Sequence, residues 1–331
     1  MSKITVLIPT YNRANFIEEF WCTCISKYSG NLFSFFFADS SFDRKTEDFI
    51  CSKKNQVSSE ITYKRFASTQ KVDEKIINAI KEINSEFLFL SHDSQLIDFN
   101  KLEPFLIANH YEELSILNIN SSHSQFVKYN LDKKIDTIYT TDDLKKFCEK
   151  AFTYLTLYGA SIVKTKLLKC DKAMSVWSNY KDSKYGCYLY VTALFSGSYF
   201  FHESFDKYGI LFSSLPYESL QEKKGWVYGE SFVETFFEEF ERDVNLLPPF
   251  FDSCKQGIIL RFRRECGELN FRALIKKKAI NGLTYGLIRK YKKQVKNPSY
   301  HYGQIIFVTL FLPKFLCRFI YKIYKILKTK K

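Results

Sequence analysis

An α/β fold, built on a mixed and mostly parallel sheet flanked by helices, is what this sequence predicts, and three observations predict it. Short apolar runs without regular polar alternation recur at residues 4–8 (ITVLI), 32–38 (LFSFFFA) and 86–90 (EFLFL). Such runs are the mark of strands buried on both faces. Between them lie stretches with apolar residues at three- and four-residue spacing, the period of helices packed on a sheet. The three runs also end alike, in the polar clusters TYNR, DSSFD and SHDS. Parallel strands carry such ends to one rim, so Tyr11, Asp39 and Asp93 should converge in one crevice.

The elements follow in order. Pro9 ends the first run because it has no N–H for the ladder. From Ala14 the pattern turns helical, with Phe16, Ile17, Phe20, Trp21 and Cys24 on one side. Residues 44–52 read as a helix with Phe49 and Ile50 inward and the 41–43 cluster as its N-cap. Residues 61–66 form a further strand. Residues 72–83 form an amphipathic helix with Ile76, Ile77, Ile80 and Ile83 on one face. The strand at 86–90 is followed by a helix at 102–109. Beyond it, 114–120 and 126–129 read as strands. Residues 141–151 read as a helix capped by Thr141, with Asp142 and Asp143 in its first turn. Residues 158–163 are a loop entering a strand, 188–195 a helix, and 198–202 a strand. The loop GWVYG at 225–229 holds Trp226, which could line a pocket or fill the core. An acidic amphipathic helix at 231–244 is halted by Pro248 and Pro249.

Composition sets the class. The chain has 331 residues, 46% apolar and 26% charged, with 33 Phe and 22 Tyr, so it is globular with material for a large core. The net charge of +13 is unevenly spread: residues 255–331 hold 20 Lys or Arg against Glu265 and Glu268, while the other 254 residues carry 29 basic and 34 acidic groups. A mildly acidic body therefore bears a strongly basic helical tail, at 251–331, which calls for a polyanionic partner. Its last segment, FLCRFIYKIYKILKTKK, alternates large apolar residues with Lys or Arg every third or fourth position. Charges interrupt every eighteen-residue window there, which disfavours a spanning helix. The pattern instead predicts a basic amphipathic helix lying in an anionic membrane surface. Nucleic acid is the poorer partner, because arms that bind it are more polar. No secretory signal is visible, and nine scattered Cys give no disulfide framework. The expected location is the cytoplasm, peripheral on the inner face of the cell membrane.

VLIPTYNR, then a strand ending in DSSFD, then one ending in SHDS, resembles the family 2 glycosyltransferases of the GT-A fold. The resemblance is carried by the spacing of the three tips over residues 1–100. Beyond that it rests on general layout. It implies a GT-A domain over 1–250, with a nucleotide-binding half at 1–100 and an acceptor half at 101–250. It also implies that Pro9, Thr10, Tyr11, Arg13, Asp39, Ser41 and His92 bind a nucleotide-sugar donor. Thr10 and Tyr11 would lie against the base, and Asp39 matches the position that accepts the N3–H of a pyrimidine. Asp93 matches the aspartate that holds Mn²⁺ or Mg²⁺ on the diphosphate, where a hard cation wants carboxylate oxygen. His92 would be a neutral hydrogen-bonding contact. The chain departs from the pattern in keeping one carboxylate in SHDS and in placing Ala38 before Asp39. Inverting transfer needs a carboxylate base. Asp182 is the candidate nearest the expected place, with Glu203 and Asp206 as others.

The resulting expectation is a metal-assisted, inverting glycosyltransferase. It would move sugar from a nucleotide-diphosphate-sugar to a glycan acceptor, lipid-linked, in bacterial surface polysaccharide assembly. The alternative is a non-catalytic relative that keeps the fold and serves as a scaffold in a polysaccharide assembly complex, which the missing acids motivate. The commonest other use of Asp39 and Asp93 after a strand would be as helix N-caps.

Overall fold

The N-terminal apolar run forms β1 (Ile4–Thr10), buried at every position, and the sheet grows from it on both sides. The structure is a computed structural model that describes residues 3–118, 137–156, 158–159, 161–182, 188–204, 207–210, 217–219, 230–266, 269–296 and 302–329. On one side β1 pairs in parallel with β2 (Phe33–Asp39), which pairs in parallel with β3 (Ile61–Arg65). On the other side it pairs in parallel with β4 (Phe87–Leu90). The connections are α1 (Ala14–Phe20), which continues into a π turn at Trp21–Ile25, then α2 (Lys45–Lys53) and α3 (Val72–Glu82). Strands covered on both faces need no polar alternation, and β1, β2 and β4 are buried throughout and mostly apolar.

Beyond β4 the sheet turns mixed. A short antiparallel pair joins β5 (Gln95–Ile97) to β10 (Tyr217–Ser219), and α4 (Phe99–Ala108) follows β5. The main sheet continues through β6 (Ile116–Asn118), β7 (Thr137–Thr140), β8 (Ser161–Lys164) and β9 (Lys207–Ile210). Its order is β3-β2-β1-β4-β8-β6-β9-β7. β8 lies antiparallel to β4 and β6, β6 is parallel to β9, and β7 is antiparallel to β9. The helices of this half are α5 (Leu144–Leu155), α6 (Lys166–Lys169), α7 (Asp171–Trp177) and α8 (Leu189–Phe200).

Two local expectations are corrected. Residues 198–202 are not a strand: α8 runs on to Phe200 and a 3₁₀ turn covers His202–Ser204. The whole stretch from Leu189 to Ser198 is buried. Gly197 lets the helix lie directly on α6, since a Cβ there would stand 1.8 Å from the Leu167 carbonyl oxygen. Thr141 is likewise not a cap. It opens a 3₁₀ turn, Thr141–Asp143, and the α-helix begins at Leu144 with no side-chain cap. The expected strand at 126–129, the GWVYG loop with Trp226, and Asp206 lie outside the described residues.

The chain divides into two compact units. The first is residues 1–221 with 246–254. The second is residues 222–245 with 255–331, so the acidic 231–244 segment groups with the basic tail. The second unit holds α9 (Glu230–Val233), a π stretch at Glu234–Glu239, α10 (Phe240–Asn245) and most of α11 (Asp252–Glu265). It continues through α12 (Phe271–Ala279), α13 (Tyr285–Lys290), α14 (Lys292–Lys296), α15 (Tyr302–Ile306) and α16 (Lys314–Thr329). Phe240 stacks on Phe262 in its core, with ring centroids 3.6 Å apart. The buried Arg263 guanidinium pairs with Glu241 at 2.9 Å. α16 packs on α12, and Arg318 Nε donates to the Ala279 carbonyl at 3.2 Å. Around Pro313 the segments Tyr302–Phe311 and Lys314–Ile323 meet at 108°. Among the described residues no single helix is long and apolar enough to cross a membrane.

Candidate active site

The order β3-β2-β1-β4 makes the chain wind one way from β1 to β3 and the other way to β4. A crevice opens outside the carboxyl ends of the strands at such a switch point. Thr10 ends β1 on that rim, Asp39 is its ladder partner at the end of β2, and Arg65 is level with Asp39 at the end of β3. The SHDS tip follows β4 directly, and Ser91 N–H donates to Leu7 O at 2.9 Å.

These tips are joined by hydrogen bonds. Thr10 Oγ1 donates to Asp93 Oδ2 at 2.7 Å, and the Arg13 guanidinium donates to Asp93 Oδ1 at 2.8 Å. Asp93 is 1% exposed, so this ion pair is sheltered on its acidic side. Asn12 adopts a left-handed backbone (φ 54°), which a short polar side chain tolerates. Its N–H donates to Ser41 Oγ at 2.8 Å, and its side-chain oxygen accepts from Phe42 N–H at 3.0 Å. The first loop is thereby tied to the second.

Asp39 is fully enclosed. Its Oδ1 accepts from the Ser41 N–H at 2.8 Å and the Ser41 hydroxyl at 2.5 Å, and its Oδ2 accepts from the Tyr63 hydroxyl at 2.8 Å. Burial, and then the hydrogen bond to Asp39, push the Tyr63 phenol well above its ordinary pKa, so it stays a donor. In this arrangement neither oxygen of Asp39 is open to solvent, and both accept from the protein. The acid works first as the organiser of its own loop, as aspartates after strands commonly do. Arg65 holds the same loop from β3, donating to Ser41 O at 3.2 Å, Phe42 O at 3.1 Å and Glu47 at 3.0 Å. At the mouth, Tyr11 and Phe42 meet edge to face at 5.6 Å, and both rings are exposed.

Lys75 completes the network, and the sequence reading missed it. It projects from the first turn of α3 beneath the rim, 2% exposed. Its ammonium donates to Thr10 O at 2.6 Å and to Ser40 Oγ at 2.9 Å. Burial pulls its pKa down to about 8, against the attraction of Asp39 and Asp93 and with help from Arg13. Lys75 stands four before Ala79 on the face of α3 that packs inward, but nothing in the sequence separates it from the exposed Lys81.

The remaining candidates are placed as follows. Pro9 does not end the ladder as expected: it lies in β1 opposite Ala38, and the pairing runs on to Thr10 and Asp39. His92 Nδ1 and Ser94 Oγ are 2.9 Å apart in the SHDS turn. Asp182 is exposed and closes the Ser178–Lys181 turn, its N–H donating to Asn179 O at 3.0 Å. Lys71 reaches Lys181 O at 3.0 Å, which sets this turn beside the start of α3, the helix that carries Lys75. Glu203 does not join the rim. β8 runs against β4, so Lys164 is level with Phe87 at the start of β4, and Phe201 lies under Lys166 just beyond. Glu203 therefore follows at the opposite end of the sheet from Asp93.

A divalent cation fits these residues poorly. Among the described residues no three His, Cys, Asp or Glu side chains cluster. The one carboxylate in the expected place, Asp93, already faces a guanidinium. A hard cation would have to displace Arg13 to use it.

By sequence, no family profile and no curated protein matches the chain. By structure, S. aureus TarS 1–349 superposes with a TM-score of 0.54 at 14% identity, over 93% of this chain and 81% of that one. The same TarS fragment in complex with UDP-GlcNAc gives 0.52 at 14% identity, over 97% of this chain and 91% of that one. A mannosyltransferase, PcManGT from Pyrobaculum calidifontis in complex with GDP-Man and Mn²⁺, gives 0.51 at 12% identity, over 93% and 87%. The fold is GT-A. The GT-A assignment covers the mixed, mostly parallel eight-stranded sheet with its flanking helices. The switch-point rim of this GT-A sheet is where Thr10, Arg13, Asp39 and Asp93 gather.

Proposed function

We propose that this chain is a glycosyltransferase that binds a nucleotide-diphosphate-sugar at the rim and passes its sugar to a glycan acceptor. The observation that carries the reading is the Thr10–Asp93–Arg13 constellation at the switch point of a GT-A sheet. Solved structures of that fold hold UDP-GlcNAc and GDP-Man, which supports a nucleotide-sugar as the donor class. The exposed Tyr11 and Phe42 rings offer a face for a base, and aromatic faces stack on bases regardless of sequence.

We assign Asp182 as the general base of an inverting transfer. In that step the acceptor oxygen bonds the sugar's anomeric carbon and gives its proton to the carboxylate. The bond to the diphosphate breaks, with its electron pair leaving on phosphate oxygen. Such a base contributes about 10²- to 10⁴-fold in rate.

The acceptor is proposed to be lipid-linked, within bacterial surface polysaccharide assembly on the cytoplasmic face of the membrane. What supports this is the second unit. Phe307, Phe311, Phe315, Phe319 and Ile323 are exposed at four-residue spacing along the bent pair of segments, beside Arg318 and Lys322. A membrane-bound enzyme meets a membrane-bound acceptor at high effective concentration.

The test is release of UDP, GDP, CDP or dTDP from a panel of their sugars, for the full chain and for Asp182→Asn. Hydrolysis or transfer from one donor, lost in Asp182→Asn while nucleotide binding persists, is the expected result. If no donor is turned over and none binds, the chain is the non-catalytic scaffold. The internal pairing of both rim acids is the observation that favours that second reading.

A further inference from the structure

We propose that in this chain the charge of the donor diphosphate is met by Arg13, held in place by Asp93, rather than by a divalent cation. The inference rests on the nucleotide-sugar reading above and goes to how that site neutralises its ligand. Breaking the bond to the diphosphate leaves negative charge on the leaving group, and a cation fixed beside it lowers that barrier.

Arg13 is built for the task. It sits at the end of the first loop, directly after the left-handed Asn12, at the N-cap position of α1. The Asn12 N–H to Ser41 bond and the Phe42 N–H to Asn12 bond fix the backbone from which it projects. Its guanidinium lies over the Phe16 ring at 5.3 Å, a second support for its orientation. Asp93 Oδ1 takes Nη1 at 2.8 Å, while 32% of the Arg13 side chain remains exposed. A guanidinium carries five N–H donors in a planar fork, the shape that recognises phosphate oxygen in pairs.

Asp93 is correspondingly ill placed as a metal ligand. One of its oxygens takes the Thr10 hydroxyl and the other faces the positive charge of Arg13. It is 1% exposed, and no neighbouring acids gather into a coordination set among the described residues. Its geometry is that of a positioning group for Arg13. The buried Lys75 ammonium adds a second positive charge beneath the same strand end, bonded to Thr10 O. Two cations, Arg13 and Lys75, thus stand against two acids, Asp39 and Asp93, before any ligand arrives. An incoming diphosphate meets a rim whose negative charge is already offset.

The test is calorimetric titration of UDP and of GDP into the full chain, in EDTA and again with Mn²⁺ or Mg²⁺. It is repeated on Arg13→Gln and Arg13→Lys, with circular dichroism as the check on folding. The expected result is binding in EDTA within about threefold of that with metal. Arg13→Gln should weaken it about tenfold to a hundredfold, the range of one charge-assisted hydrogen bond, with partial recovery in Arg13→Lys. Binding that appears only with metal overturns the inference and leaves the donor reading standing. So does metal-free binding that Arg13→Gln leaves intact. If Arg13→Gln does not fold, the wild-type comparison with and without EDTA still decides the metal question. No binding of either nucleotide under any condition overturns the donor reading, and this inference with it.

Discussion

Replacing Lys75 by Met should change the pH dependence of stability in a way that can be worked out beforehand. Burial lowers the pKa of Lys75 from 10.5 to about 8 in the folded chain. The unfolded chain therefore binds more protons between those two values, and stability rises with pH through that window. At about 1.36 kcal/mol per pKa unit, the full span amounts to ~3 kcal/mol, of which roughly 2 kcal/mol falls between about pH 7.5 and about pH 10. Near neutral pH the substitution has two opposing effects. It removes the cost of holding an ammonium out of water, and it takes the charged donor from Ser40 Oγ and from Thr10 O, which keeps only the Ser40 N–H at 3.2 Å; that loss costs about 1–3 kcal/mol. The absolute change is small by cancellation, whereas the slope is not. Denaturant unfolding followed through the buried Trp21 and Trp177 gives the readout at both pH values for both proteins. Wild type should gain roughly 2 kcal/mol over Lys75→Met on going to the higher pH. Parallel profiles would refute the claim that a desolvated ammonium supports the rim.

Further outcomes follow from single contacts. Thr10→Val keeps the shape but removes the hydroxyl from Asp93, so it should cost about 1.5–3 kcal/mol in denaturant unfolding and weaken nucleotide binding. Gly197→Ala, which would raise helix propensity on a free helix, should instead lower the melting temperature, because its Cβ meets the Leu167 carbonyl at 1.8 Å. The pair Phe315→Glu and Phe319→Glu should leave stability within about 0.5 kcal/mol, since both rings are exposed, and should abolish co-flotation with anionic vesicles. Flotation that survives those changes, or survives deletion of residues 299–331, would remove the membrane assignment of the second unit.

Much of the first unit was legible because it is governed by burial. β1, β2 and β4 are covered on both faces, so most of their residues are apolar, and a run such as FFFA admits few other readings. Their tips were legible for the complementary reason: polar residues directly after a buried strand need polar partners, and here they find them in one another. The polar groups that work from below were hidden. Lys75 sits within an amphipathic helix whose other lysine, Lys81, is exposed, and only the fold decides which lysine turns inward. Tyr63 and Arg65 lie on β3, whose mixed pattern says little about partners at the end of the neighbouring strand. α8 defeated periodicity because a helix buried on all sides has no polar face to mark its turn, and its aromatic end reads as strand. The Thr141 cap was misplaced because a 3₁₀ turn intervenes before the α-helix, a shift that residue preferences do not fix.

The central claim, that the strand ends on either side of the switch point form one donor site, is tested most directly by hydrogen exchange of the full chain with and without a turned-over nucleotide-sugar. The account predicts slowed exchange confined to three separate stretches, around residues 10–13, 39–42 and 91–94, together with the start of α3. Protection at only one of those tips, or protection gathered instead at the opposite end of the sheet near Lys164 and Phe201, would contradict it.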